Sequence, residues 1–299
     1  MIHHTPSPCE NLARRSNPVL PEIETKDNAK LSQDYPLGGT QIEGRRLIAQ
    51  AIEYEPRTRL LLDRIGIQPG WCAVDIGCGP LGILHLLSER VGPLGRVLGL
   101  ERESHFAATA RAEVARRGLT NVTVIEGDAL ATGLERESFD LVHERLVAIN
   151  VDARETLLAE MMSLLRPGGT AVLEDVDNVS WLCQPPHPSW DAILHAFHTV
   201  FRIGGGDPFV GRRLPELLRG AGAQDIQVVM YVDLAMPGEY RRTHLISLLD
   251  SVRDKVLSMG LLKEEELRRH REALVVHLDD PATTVIDKLL VQAWGLKPK

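Results

Sequence analysis

From residue 71 onward, short apolar runs alternate with segments of helical periodicity. That alternation is satisfied by a mostly parallel sheet covered by helices on both faces. The runs are Trp71-Cys72-Ala73-Val74, Arg96-Val97-Leu98-Gly99-Leu100, Asn121-Val122-Thr123-Val124-Ile125, Phe139-Asp140-Leu141-Val142-His143 and Thr170-Ala171-Val172-Leu173-Glu174. Between them lie helical stretches at 80–91, closed by Gly92, and at about 103–117, closed by Gly118. A third begins at Asp152 and Glu155, which have capping-box spacing, and runs to about Leu165. Parallel neighbours require crossovers, and these should be right-handed.

The flanks read differently. Residues 1–30 carry Pro6, Pro8, Pro18 and Pro21 without periodicity and read as a mobile tail. Residues 31–68 form a helical cap in which Pro56 should separate two helices. The sheet core occupies 69–175. Residues 176–211 hold Trp181, Trp190, Phe197, Phe201 and Phe209, five of the thirteen aromatics of an aromatic-poor chain. This stretch reads as a lid over a substrate, with Trp181, Trp190, Phe197 and Phe201 as its lining. Residues 212–299 supply a helix at 212–220, a strand at 225–232, two helices within 239–279 broken at Met259-Gly260, and a last strand from Leu289.

Composition narrows the class. Hydrophobic residues at 43% and charged residues at 25% exclude wholesale disorder. The net charge of -7 disfavours a nucleic-acid partner and favours a small molecule. No apolar run reaches the ~18 residues of a membrane span, and no signal peptide is visible at the start. Cys9, Cys72, Cys78 and Cys183 show neither CxxC nor zinc spacing, so no metal is expected. Four reduced thiols in a cytoplasmic protein is the simplest reading.

The most informative stretch is Val74-Asp75-Ile76-Gly77-Cys78-Gly79-Pro80-Leu81-Gly82, which follows the first strand and opens a helix. Glycines there let a ligand approach the backbone. As GxGxxG it could serve a dinucleotide, and Glu101, nineteen positions after Gly82, could accept from ribose hydroxyls in either a dinucleotide or a nucleoside site. Asp75 separates the two. A carboxylate at the strand mouth would repel a pyrophosphate that needs the helix N-terminus. The sulfonium and ammonium groups of S-adenosylmethionine would be attracted, by about 4 kcal/mol at ~4 Å and an effective dielectric near 20 before desolvation.

Gly127-Asp128-Ala129 after the third strand, Phe139-Asp140-Leu141-Val142, and Leu165-Arg166-Pro167-Gly168-Gly169-Thr170 complete an ordered motif series. With it the chain resembles the class I S-adenosylmethionine-dependent methyltransferases over about residues 31–236 plus the last strand. Tyr35-Pro36-Leu37-Gly38-Gly39-Thr40 and Asp207-Pro208-Phe209-Val210-Gly211-Arg212-Arg213-Leu214 are similar to segments of bacterial small-molecule, natural-product members. The resemblance implies an α/β fold with a Rossmann-like, doubly wound, seven-stranded sheet. Its last strand is antiparallel and inserted beside the fifth, and a helical cap is added. It also implies cofactor contacts: Tyr35 nearby, Asp75, Gly77 and Gly79 at the methionine part, Glu101 at the ribose, Arg102 near the adenine, Asp128 and Ala129 on the adenine ring, and Glu144 backing the cofactor. One departure is the third glycine, displaced to Gly82 by Pro80-Leu81.

The implied activity is methyl transfer from S-adenosylmethionine to a small, fairly apolar metabolite of secondary metabolism. The alternative keeps the cofactor as a fixed cation for cyclisation or isomerisation. An NAD-dependent oxidoreductase and a scaffold with a degenerate fold are the other classes weighed. If the acceptor must lose a proton, His143, His195, His198 and Asp177 are base candidates by type and place. His195 and His198 are three apart and share a helix face. The charge-rich helices of 239–279 present a solvated face and could build a homodimer contact.

Overall fold

The computed structural model describes residues 41–299, so Tyr35 and the segment 1–40 lie outside the described residues. In chain order the elements are α1 (Gln41–Ile65), β1 (Cys72–Ile76), α2 (Leu84–Val91), β2 (Arg96–Glu101), α3 (Ser104–Arg116), β3 (Val122–Glu126), β4 (Phe139–Arg145), α4 (Arg154–Leu164), β5 (Leu165–Asp177), β6 (Leu182–Gln184), α5 (Pro188–Ile203), α6 (Leu214–Gly220), β7 (Gln224–Tyr231), β8 (Leu234–Ala235), α7 (Tyr240–Ser258), α8 (Glu264–Asp279), β9 (Thr284–Ile286) and β10 (Leu289–Leu296). Seven strands form one sheet in the order β3-β2-β1-β4-β5-β10-β7. Strands β3, β2, β1, β4 and β5 pair in parallel, whereas β10 runs antiparallel to both β5 and β7. The expected antiparallel last strand beside the fifth is therefore present.

Alternation along buried strands divides the core in two. Cys72, Val74 and Ile76 point to one face, where they join residues of α4 to α8. Ala73 points to the other and meets Leu61 and Leu62 of α1, Leu84, Leu87 and Val91 of α2, and Ala107 and Ala110 of α3. Helices thus cover both faces, as a parallel sheet requires.

Four readings need correction. Pro56 does not divide the N-terminal helix, because α1 runs unbroken through it. Pro56 itself is exposed while Tyr54, Thr58, Leu61 and Leu62 are buried around it. Packing on both sides outweighs a proline cost of about 3 kcal/mol. The Asp152/Glu155 capping box does not form: the N-cap of α4 is Ala153, with no side-chain cap. Buried Arg154 fixes that turn instead, donating to the carbonyls of Ala148, Asp152 and Gly205. Cys78 and Cys183 are free and buried, but Cys72 is disulfide-bonded, so the four cysteines are not all thiols. Finally, a second sheet of three short strands, β6-β9-β8, was not legible. It ties the segments around 182, 234 and 285 together, and the backbone N–H of Asp287 donates to the carbonyl of Asp233 beside it.

Leu87 is fully buried between helix and sheet, and Leu94, in the turn before β2, is 87% exposed. Leu87→Ala should cost about 2–5 kcal/mol in urea unfolding, whereas Leu94→Ala should stay within about 0.5 kcal/mol. Equal effects at the two positions would contradict this packing.

Candidate active site

The carboxyl ends of β1, β4 and β5 meet at a line of buried polar side chains. Register places Asp75 of β1 opposite His143 of β4, and Gln292 of β10 opposite Glu174 of β5. His143 Nδ1 lies 2.7 Å from Asp75 Oδ1 and Nε2 lies 2.9 Å from Glu174 Oε1. Glu174 Oε2 accepts from Thr58 Oγ1 at 3.0 Å and from Gln292 Nε2 at 2.6 Å. Burial by itself disfavours a charged ring. The two carboxylates outweigh it and raise the His143 pKa to about 9. Burial likewise opposes the Glu174 charge, but the hydrogen bond and charge of His143 leave its pKa lowered. The unit is a carboxylate–imidazolium–carboxylate row with net charge of one negative.

This arrangement redefines His143. With both ring nitrogens engaged and the side chain fully buried, it has no lone pair to offer a substrate. Its two ring contacts hold it between Asp75 and Glu174. Asp177 is likewise engaged within the fold. It is fully buried, accepts two bonds from the Arg212 guanidinium at 2.5 and 2.6 Å, and caps Val179 N at 3.0 Å. His195 is exposed on α5. His198 is partly buried, its Nε2 is 2.9 Å from Asn178 Nδ2, and burial with the charge of Arg202 lowers its pKa to about 4.

The loop after β1 follows the glycines. Gly77, Gly79 and Gly82 have φ of +67°, +61° and +55°. A Cβ on Gly77 would meet Val147 Cγ2 at 2.5 Å, and one on Gly82 would meet the Cys78 carbonyl oxygen at 2.5 Å. A Cβ on Gly79 would meet nothing within 4 Å, so that side of the loop is open. Glu101 at the end of β2 accepts from Gly79 N at 2.8 Å and from Glu103 N at 2.9 Å. Arg102 is exposed and pairs with Glu103. Asp128 is exposed and folds its own turn by accepting from Leu130 N, with Ala129 beside it.

Glu144 lies fully buried behind the next loop and accepts from Val147 N and Ala148 N. Asp175 accepts from Ile149 N and Val176 N. Burial pushes Glu144 to about 7 and Asp175 well up, with the charge of Glu144 adding to the latter. These carboxyls shape the loop 146–150, whose Leu146 sits at φ +60°.

Two cavities flank that loop. The first, open to solvent, is bounded by Asp75, the glycine loop, Pro80, Leu47, Gln50, Arg145 and Leu146. The second lies against Arg46, Ile149, Asn178, Phe197, Phe201, His244 and Lys288, and it shares Gln50 and Leu146 with the first. Phe197 and Phe201 therefore line a cavity. Trp181 and Trp190 are buried against each other at 5.6 Å, edge to face, outside both linings. Sequence reasoning missed Gln50, Arg46, His244 and Lys288, which come from α1, α7 and the turn before β10. No local motif marks them.

The charge on His143 has a measurable signature. A ring whose pKa rises on folding contributes stability that is full below its ordinary 6.5 and is lost as pH climbs through about 9. The stability gap between wild type and His143→Gln should therefore narrow between pH 6 and pH 10, by an amount of order 3 kcal/mol. A gap independent of pH would overturn the imidazolium assignment.

Comparison with known proteins agrees with the motif order. Residues 67–199 match a family model described as a methyltransferase domain. The chain is 35% identical over 116 residues to nocamycin O-methyltransferase of Saccharothrix syringae, covering 39% of this chain and 41% of that protein. It is 28% identical over 158 residues to demethylmenaquinone methyltransferase of Lactococcus lactis, covering 53% and 58%. The chain thus spans about two fifths to three fifths of the length of these curated relatives. Phosphoethanolamine N-methyltransferase 2 of Haemonchus contortus, solved with S-adenosylhomocysteine, shares the fold at TM-score 0.52 and 18% identity, over 81% of this chain and 53% of that one. The glycine loop, the strand order with its inserted antiparallel β10, and the matched segment agree, and residues 67–199 are similar to a methyltransferase domain.

Proposed function

We propose that the protein transfers a methyl group from S-adenosylmethionine to a small, fairly apolar acceptor. One observation carries this reading: the cleft at Asp75 and the partly aromatic cavity adjoin, with Gln50 and Leu146 common to both. A methyl group at the inner end of the first cleft would face an acceptor held in the second. The open side of Gly79 and the cleft-lining Asp75 suit a ligand with a cationic end. Asp75 would hold the ammonium and sulfonium charges, Glu101 the ribose hydroxyls, and Asp128 with Ala129 the adenine.

When bound, the cofactor supplies the activated methyl group, and the protein supplies position and electrostatics. His143 holds Asp75 in place, and the loop 146–150 separates the two chambers. Helices α1, α5 and α7 roof the acceptor side and exclude water. In this reading residues 176–211 are the lid, 69–175 the cofactor-binding core and 239–279 the helical insertion. The acidic balance supports a small-molecule substrate without a nucleic-acid partner. Exposed Val275 and Val276 on α8 support a homodimer contact there.

Calorimetry with S-adenosylhomocysteine tests the cofactor assignment. Asp75→Ala should weaken binding at least several-fold, and unchanged affinity would show that the pocket is elsewhere. Mass spectrometry of the product separates the two reactions weighed. A gain of one methylene unit supports transfer, and an isomer of equal mass supports cyclisation.

A further inference from the structure

We infer that Arg145 is the binding residue for the carboxylate of the cofactor's amino-acid end, with Gln50 as a second donor, so that the first cleft reads both charges of an α-amino acid. This inference rests on the cofactor reading proposed above and assigns a residue to the group that Asp75 cannot hold.

The chemistry of the ligand sets the requirement. S-Adenosylmethionine and S-adenosylhomocysteine carry an ammonium and a carboxylate on one carbon, so a pocket that takes the ammonium brings the carboxylate with it. An oxyanion drawn in beside Asp75 without a donor of its own would be repelled and would lose its hydration uncompensated. A cation or an N–H group must therefore stand close to Asp75.

Strand alternation puts Arg145 there. Leu141, His143 and Arg145 project from one face of β4, and Leu141 packs with Leu61 and Leu62 of α1 on that face. Register pairs Asp75 with His143, so Arg145 stands two residues further out than that pair, at the carboxyl edge and under α1. Among the described residues that bound the first cleft, Asp75 and Arg145 are the only charged ones.

Nearby arginines are spent on carboxylates. Arg46 is gripped by Glu43 and also donates to Gln50, Arg57 pairs with Asp233, and Arg241 pairs with Glu53 and Asp233. Half-buried Arg145 has no carboxylate partner among the described residues. It makes one bond, from Nη1 to Thr58 Oγ1 at 3.1 Å. Thr58 passes its own hydrogen to Glu174 Oε2 at 3.0 Å, and Glu174 is already answered by His143 and Gln292. The bond to Thr58 steadies the guanidinium against α1 and leaves the hydrogens of Nε and Nη2 for a ligand.

Gln50 adds a neutral donor from the same helix. Its Oε1 accepts from Arg46 Nη1, which settles the amide with Nε2 as the remaining donor, and Gln50 bounds the same cleft. A carboxylate held by Arg145 and Gln50 on one side, with the ammonium at Asp75 on the other, fixes two of the bonds at the ligand's α-carbon. That sets the direction in which the chain leaves for sulfur, and with it the aim of the reacting group.

Calorimetry on the full chain tests this with S-adenosylhomocysteine and its decarboxylated analogue, in which a hydrogen replaces the carboxylate and the ammonium is kept. Wild type should prefer S-adenosylhomocysteine by about tenfold or more, as a charged hydrogen bond allows. Arg145→Met should bring the two affinities within about twofold, with the analogue bound as tightly as by wild type or more tightly, since a repelling cation has gone. Equal affinities in wild type overturn the inference whether or not the variant folds. So does a preference that survives in Arg145→Met, or an equal loss of both ligands, which a merely structural part in seating α1 would produce. If wild type binds neither nucleoside, the cofactor assignment itself falls, and this inference falls with it.

Discussion

The row Asp75–His143–Glu174 is the interaction on which the site depends. It crosses three adjacent strands at the carboxyl edge of the sheet and is extended on one side by Gln292 and on the other by the loop at Ile83, whose N–H lies 3.4 Å from Asp75 Oδ2. Two carboxylates this deeply buried would be untenable without the imidazolium between them. His143 holds the Asp75 side chain at the mouth of β1. Because the central ring is protonated, its contribution is fixed by proton affinity as well as by packing.

The second constraint is the loop 146–150, which stands between two chambers. Its backbone N–H groups are taken up by Glu144 and Asp175, which sit on adjacent strands behind it. Neither carboxyl reaches a cavity. Their part is to hold a wall in place, and the wall decides how close two ligands can come. In a displacement reaction that distance matters more than any single contact, because a small misplacement of reacting atoms costs orders of magnitude in rate.

Much of this architecture could be read from the chain. Short apolar runs at regular spacing gave the strands, and Asp75, the glycines and Glu101 gave one half of the site, because those features act through local backbone geometry. The other half was hidden for a physical reason. His143 was visible as a base candidate by type and place, but its meaning comes from partners 68 and 31 positions away. Sequence periodicity says which face a residue takes and not what it meets there. Lys288 and His244 are 44 positions apart and are joined by the small sheet β6-β9-β8, whose strands of two or three residues are too short to alternate. Pro56 failed as a breaker because packing outweighed propensity. The aromatic clustering was informative only in part: Phe197 and Phe201 reach a cavity, while Trp181 and Trp190 spend their area on each other and the core.

The place of β10 has a consequence for how the molecule comes into being. This strand is the last in sequence within the sheet, yet it lies in the interior, between β5 and β7. Until residues 289–296 have been synthesised, β5 presents an open edge and Glu174 lacks its Gln292 partner. The contacts that close the sheet span more than a hundred residues, which makes them slow to form. The nascent chain must therefore hold β1 to β5 as a partial sheet with an exposed edge, a state prone to association. The Asp75 site becomes complete only when the strand last in sequence within the sheet slides in between two earlier ones.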